Sequence, residues 1–202
     1  MPEQADSSER CGATVIEAEY KARLTDPAGV REKLQALSVA DRVTYSDTYF
    51  DDAIEALSRA GRELRLRTIS GSAESTRSIL TFKDAAVDAA TGSKPEYETT
   101  VGDRATMEEI VERLGYRPRL SFTKLCENHR FKAAGREMLA TIVTVPELDG
   151  TFLELETMTE TEDDLGAALA DLRSVLDDLG ISPDQLTTEL YTDAVALRRR
   201  AE

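Results

Sequence analysis

Residues Thr14 to Leu24 read TVIEAEYKARL. The alternation predicts a β-strand, whose successive side chains point to opposite faces. Val15, Glu17, Glu19, Lys21 and Arg23 then share one face, and Ile16, Ala18, Tyr20, Ala22 and Leu24 share the other. One face suits a core. The other carries two acids and two bases in a row.

The same division recurs along the chain. In RELRLRTI (62–69), Glu63, Arg65 and Arg67 oppose Leu64 and Leu66. In SILTFKD (78–84), Lys83 lies with Ile79 and Thr81, opposite Leu80 and Phe82. Glu96 and Glu98 share a face of KPEYETTV (94–101), and Lys124 lies with Phe122 in SFTKL (121–125). In GTFLELETM (150–158), Glu154 and Glu156 oppose Leu153 and Leu155.

Any sheet with one wet face alternates in this way. The kind of charge is what differs here. Acids come in i, i+2 pairs on three strands, and Arg65 and Arg67 form such a pair. Like charges side by side repel unless a counter-ion lies between them. Paired carboxylates supply the all-oxygen donors of a hard divalent cation. Arginine pairs, with lysines from other strands, suit a polyanion. A closed barrel with these faces inward is a polar tunnel whose apolar outside is covered by helices. That inverts the usual small barrel, whose interior is filled by packed side chains. An unpaired charge in such a lumen is costly, so the lumen is wet or ligand-filled.

The remaining segments fit one α+β domain of mostly antiparallel strands over residues 13–202. VTYSDTYFD (43–51), YRPRLSFTKL (116–125), ENHRFKA (127–133) and EMLATIVTV (137–145) read as strands, which brings the total to eight or nine. DPAGVREKLQAL (26–37) reads as a helix with Asp26 as N-cap and Pro27 in the first turn. TMEEIVERLG (106–115) is a second helix, stopped by Gly115. TETEDDLGAALADLRSVLDDLG (159–180) is an amphipathic helix capped by Thr159 or Thr161 and ended by Gly180. A last helix ends in Arg198, Arg199 and Arg200, which suit a helix C-terminus. Residues 1–12 lack the apolar stretch of a signal peptide and read as a disordered leader.

Composition bounds the partners. The net charge of −14 argues against general binding to nucleic acid or anionic membranes. No apolar run is long enough to span a membrane. Lysine occurs at only six positions, and an acidic, lysine-poor surface fits a halophilic protein. Cys11 and Cys126 lack metal-ligand spacing, which fits a reduced, cytoplasmic protein. Four further readings are structural. Tyr49 and Phe50 are core residues, with Tyr49 bordering any site. Asp47 and Asp51 read first as turn or surface residues, with assistance at the site as the alternative. His129 is a surface strand residue, and Cys126 a small buried hydrophobe.

EAEYK (17–21) matches an E-x-E-x-K signature. DTYFD (47–51), RELRLR (62–67), LTFK (80–83), EYETTV (96–101), ERLGY (112–116), SFTK (121–124), GTFLELE (150–156) and LYTDAV (190–195) follow in order. In this the chain resembles the CYTH superfamily, the triphosphate tunnel metalloenzymes, and most closely their class IV adenylyl cyclase-like branch. The resemblance implies an antiparallel eight-stranded β-barrel, the triphosphate tunnel, with helices packed outside. It implies Mg²⁺ or Mn²⁺ as cofactor and a small-molecule triphosphate as partner: ATP, inorganic triphosphate or thiamine triphosphate. It also allows a homodimer. Carried over, Glu17 and Glu19 bind metal and, with Lys21, form the catalytic set. Glu156, or Glu154 beside it, supplies the far-side acid. Glu96 and Glu98 serve a second metal or nearby base work. Lys21, Arg65, Arg67, Lys83 and Lys124 bind phosphate oxygens.

Three positions depart from the family pattern. Cys126 stands where an arginine is usual, with Arg130 as its replacement. Thr144 stands where an aspartate is frequent, and Leu190 precedes Tyr191 where a serine is usual. The implied reaction is conversion of ATP to cyclic AMP and pyrophosphate. The alternatives are hydrolysis of a triphosphate and a module that binds polyphosphate or nucleotide without turnover.

Overall fold

The computed structural model describes residues 15–71 and 76–201. The expected leader, Cys11 and the first residue of the opening stretch lie outside them. Eight strands form a closed antiparallel barrel: β1 (Val15–Arg23), β2 (Asp41–Asp51), β3 (Glu63–Gly71), β4 (Arg77–Lys83), β5 (Lys94–Val101), β6 (Arg117–Ala133), β7 (Arg136–Thr144) and β8 (Phe152–Thr159). Around the barrel they run β1-β5-β4-β3-β2-β6-β7-β8. The two segments read as separate strands over 116–133 form the single long strand β6, which pairs with β2 through its first part and with β7 through its second.

The outward faces carry the main core. Ile16, Ala18, Ala22, Leu153 and Leu155 are buried against Val30 and Leu34 of α1 (Pro27–Leu37) and Leu165, Leu172 and Leu176 of α4 (Glu162–Leu179). Each large aliphatic side chain so buried contributes roughly 1.5–3 kcal/mol. α3 (Arg104–Arg113) covers another sector, where Val111 packs with Phe50, Leu66 and Val101. The caps follow the sequence. The Asp26 carboxylate accepts from the Gly29 amide, and the Thr161 hydroxyl accepts from the Asp164 amide. Gly180 ends α4 at φ 83°, a conformation that favours glycine.

α5 (Tyr191–Ala201) closes one end of the barrel. Its Tyr191 and Val195 join a cluster with Phe122, Cys126, Val143 and Phe152, which lie on the inward faces of their strands. Arg199 holds the helix down by donating to Glu147 and to the Ser121 carbonyl.

Several expectations change here. His129 is fully buried rather than on the surface. Its strand position points outward beneath α1, where Nδ1 meets Ser38 at 3.3 Å. Asp51 is buried and accepts from Leu57, Ser58 and the Ser58 hydroxyl, which fixes the start of the four-residue helix α2 (Ala56–Arg59). Thr144 pairs with Leu125 on the outer face, so Thr141 and Val143 hold the inward positions of β7.

Candidate active site in the barrel lumen

A cavity of about 390 Å³ occupies the lumen. Glu17, Glu19, Lys21, Arg65, Arg67, Lys83, Glu96, Glu98, Lys124, Arg130, Glu154 and Glu156 all border it. The alternation of the sequence therefore brings every candidate residue to one place. It also brings strand residues that were not singled out, among them Tyr45, Arg77, Lys94 and Thr141, and α5 adds Tyr191.

Most of the charges are sorted by strand, with Lys21 on β1, Glu63 on β3 and Lys94 on β5 as exceptions. β1 and β8 are neighbours and supply Glu17, Glu19, Glu154 and Glu156. Their register sets Glu19 directly opposite Glu156, and Lys21 opposite Glu154. Across the lumen β3 supplies Arg65 and Arg67, and β6 supplies Lys124, which reaches Glu154. An acid wall thus faces a basic wall.

Crowding perturbs the acids. Burial, with the charges of Glu17 and Glu154, pushes the Glu19 carboxyl up to about 7. Burial and the charges of Glu17 and Glu19 hold Glu156 well above the usual range. Glu17 differs: burial raises it, but the adjacent Lys83 ammonium outweighs that and brings it down to about 2. Lys83 also forms an ion pair with Glu96 Oε2 at 3.1 Å. Burial pushes Glu96 up to about 7.

The basic wall is braced. Arg67 Nε and Nη2 each donate to Asp47 at 2.7 Å. Arg65 Nη2 donates to the Thr81 hydroxyl at 3.2 Å, while its buried Nε has no partner among the described residues. Lys124 Nζ lies 3.4 Å from Glu154. The Lys21 and Lys124 ammonium groups each sit 4.8 Å from the centre of the Tyr191 ring. Lys21 Nζ donates to the Glu189 carbonyl, tying β1 to the segment before α5.

Asp47, read as a turn or surface residue, is a lumen residue with a fully buried side chain. Burial raises its carboxyl, but the charge and hydrogen bonds of Arg67 outweigh this and hold it at about 2. A lowered folded-state value means that the stabilisation is present above about pH 4 and is lost as pH falls toward 2. From the size of that shift it is worth about 2 kcal/mol. Urea unfolding between pH 5 and 2 should show the Asp47→Asn variant losing less stability than the wild type by about that amount. Parallel curves would contradict the assignment.

The donors of the acid wall suit a divalent cation, since all are carboxylate oxygens and Glu19 and Glu156 lie directly opposite each other. Among the described residues no three acidic, cysteine or histidine side chains form a ready-made metal cluster.

A family model described as the CYTH domain matches residues 15–191. The chain belongs to the CYTH family. A Methanocaldococcus jannaschii protein named "Putative adenylate cyclase" is 25% identical over 181 residues, which span 89% of this chain and 98% of that one. Two solved structures share the CYTH fold of this chain. A Pyrococcus horikoshii protein superposes with a TM-score of 0.77 at 22% identity, over 91% of this chain and 99% of the other. A Hippeastrum protein, described as a putative adenylyl cyclase with a dominant triphosphatase activity, gives a TM-score of 0.61 at 15% identity, over 93% and 96%. Among the described residues, no helix of this CYTH chain is long and apolar enough to cross a membrane.

Proposed function

We propose that the lumen binds a triphosphate together with Mg²⁺ or Mn²⁺, and that the chain converts ATP to cyclic AMP and pyrophosphate. The observation that carries the triphosphate reading is the acid wall facing a basic wall in which a buried guanidinium donor, Arg65 Nε, lacks a partner among the described residues. An anion satisfies that donor. Charge-assisted hydrogen bonds of this kind contribute about 1.5–3 kcal/mol each, so several together hold a triphosphate against its desolvation cost.

In this reading Arg65, Arg67, Lys83 and Lys124 orient the phosphates, and Arg130 extends the cradle. Lys21 contributes the ammonium hydrogens that Glu189 does not take. Glu17, Glu19, Glu154 and Glu156 hold the cation, with Glu96 and Glu98 available to a second one. The ion, when bound, neutralises developing phosphate charge and acidifies the nucleophile. In the cyclase reaction a bond forms between the ribose 3′ oxygen and the α-phosphorus. The bond from that phosphorus to the bridging oxygen breaks, and pyrophosphate departs. A carboxylate of the acid wall takes the hydroxyl proton. The name of the Methanocaldococcus relative supports the cyclase reading.

The activity described for the Hippeastrum neighbour favours a second reading, in which water attacks the terminal phosphorus and orthophosphate leaves. The same residues serve both. A binding module without turnover is the third reading, since Cys126 is buried in the apolar plug of the lumen. We place the chain in the cytoplasm, as a single domain over residues 13–202. A Lys-poor, acidic surface supports testing it in high salt.

Incubation with ATP, inorganic triphosphate or thiamine triphosphate, each with Mg²⁺ or Mn²⁺, tests these readings by product identity. Cyclic AMP with equimolar pyrophosphate is expected from ATP. Orthophosphate instead selects the hydrolase, and binding without product selects the module.

A further inference from the structure

We infer that Asp47 is the positioning residue for Arg67, locking its guanidinium side-on so that the remaining donors face the triphosphate. This role rests on the triphosphate reading of the lumen. Asp47 in β2 lies directly opposite Arg67 in β3. Its Oδ1 accepts from Nε and its Oδ2 from Nη2, both at 2.7 Å. This engagement leaves both Nη1 hydrogens and the second Nη2 hydrogen unused by Asp47.

A second contact fixes the plane. The Arg67 Cζ atom lies 4.2 Å from the centre of the Tyr45 ring. The Tyr45 hydroxyl accepts from Asn128 Nδ2 at 2.7 Å, and Asn128 Oδ1 accepts from the Thr141 hydroxyl at 3.0 Å. Asn128 and Thr141 are buried. The clamp is thereby anchored in β2, β3, β6 and β7, on rigid strands rather than loops. Preorganised donors bind a developing or fixed anion without the cost of ordering them.

The rival role for Asp47 is simple charge neutralisation, and the two roles predict opposite signs. A carboxylate beside an anion cradle repels the anion. If Asp47 only neutralises Arg67, then Asp47→Asn adds net positive charge to the lumen and tightens binding. If it positions Arg67, the same change loosens binding despite the added charge.

The test is calorimetric titration of the full-length chain with inorganic triphosphate. We expect Asp47→Asn to weaken binding about tenfold, since displaced cradle groups lose much of their effect. Asp47→Glu keeps the charge but shifts the carboxylate by one methylene, and should weaken binding by a similar factor. It decides the matter if Asp47→Asn does not fold. In an Arg67→Ala background, Asp47→Asn should no longer weaken binding. Unchanged or tighter binding in Asp47→Asn, or wild-type binding in Asp47→Glu, overturns the positioning role while the triphosphate reading stands. A wild-type chain that binds no triphosphate overturns the reading, and the proposal with it.

Discussion

Glu19→Gln is expected to lower metal-dependent turnover by at least about a hundredfold, an effect of the size seen when a group stabilising the transition state is removed. The same change should raise the melting temperature. Glu19 lies opposite Glu156 across the β1–β8 ladder, with Glu17 and Glu154 nearby. Like charges so placed destabilise a sheet. Glutamine keeps the shape and removes one of the mutually repelling carboxylates. Relief of about 1 kcal/mol corresponds to roughly 2–4 °C in a chain of this size. Product assays and thermal unfolding on the same preparation read both effects. Loss of turnover accompanied by unfolding would assign Glu19 a structural role. Unchanged turnover would remove it from the metal-binding set.

Lys83→Met is expected to have the opposite effect on stability. Lys83 is half-buried between Glu17 and Glu96, and its charge and hydrogen bond do most to bring the Glu17 carboxyl below the usual range. Methionine fills much of the same volume but leaves the buried Glu17 carboxylate without its ion-pair partner and Glu96 with Arg65 alone, at 4.0 Å. Breaking a buried ion pair from one side costs about 3–5 kcal/mol. Urea denaturation should show a loss near the lower figure, because the lumen admits some water. Adding Glu17→Gln to Lys83→Met should restore part of that stability, since it removes the charge left unpaired. Triphosphate affinity should fall in the single and the double variant alike. A single variant as stable as the wild type would mean that Lys83 is not the counter-ion of this cluster.

The barrel was legible because its signal is repeated. One strand with charges on one face is any half-wet strand. Six such strands, with carboxylates paired at i, i+2, are compatible with few packings other than a charged lumen under an apolar coat. The alternation placed Glu17, Glu19, Arg65, Arg67, Lys83 and Lys124 on inward faces without a structure. The same rule could have found Asp47, which alternates with Tyr45 and Tyr49. From the sequence it reads as a turn or surface residue, because a buried aspartate is uncommon unless paired and its partner lies on another strand. Tyr191 was out of reach for a related reason. It meets the lumen only because α5 folds back over the end of the barrel, and no local pattern reports that contact. His129 followed a general preference for the surface, which failed because α1 lies over that stretch of β6.

The proposed function of the lumen is paired binding of a triphosphate and a divalent cation. Its most direct test is calorimetric titration of inorganic triphosphate into the wild-type chain, with Mn²⁺ and with chelator, alongside Arg65→Ala. Arg65 carries the unpartnered donor, so the reading predicts one saturable site that is tightened by the cation and weakened by the substitution. Absence of saturable binding in the wild type, or binding unaffected by both the cation and Arg65→Ala, would contradict it.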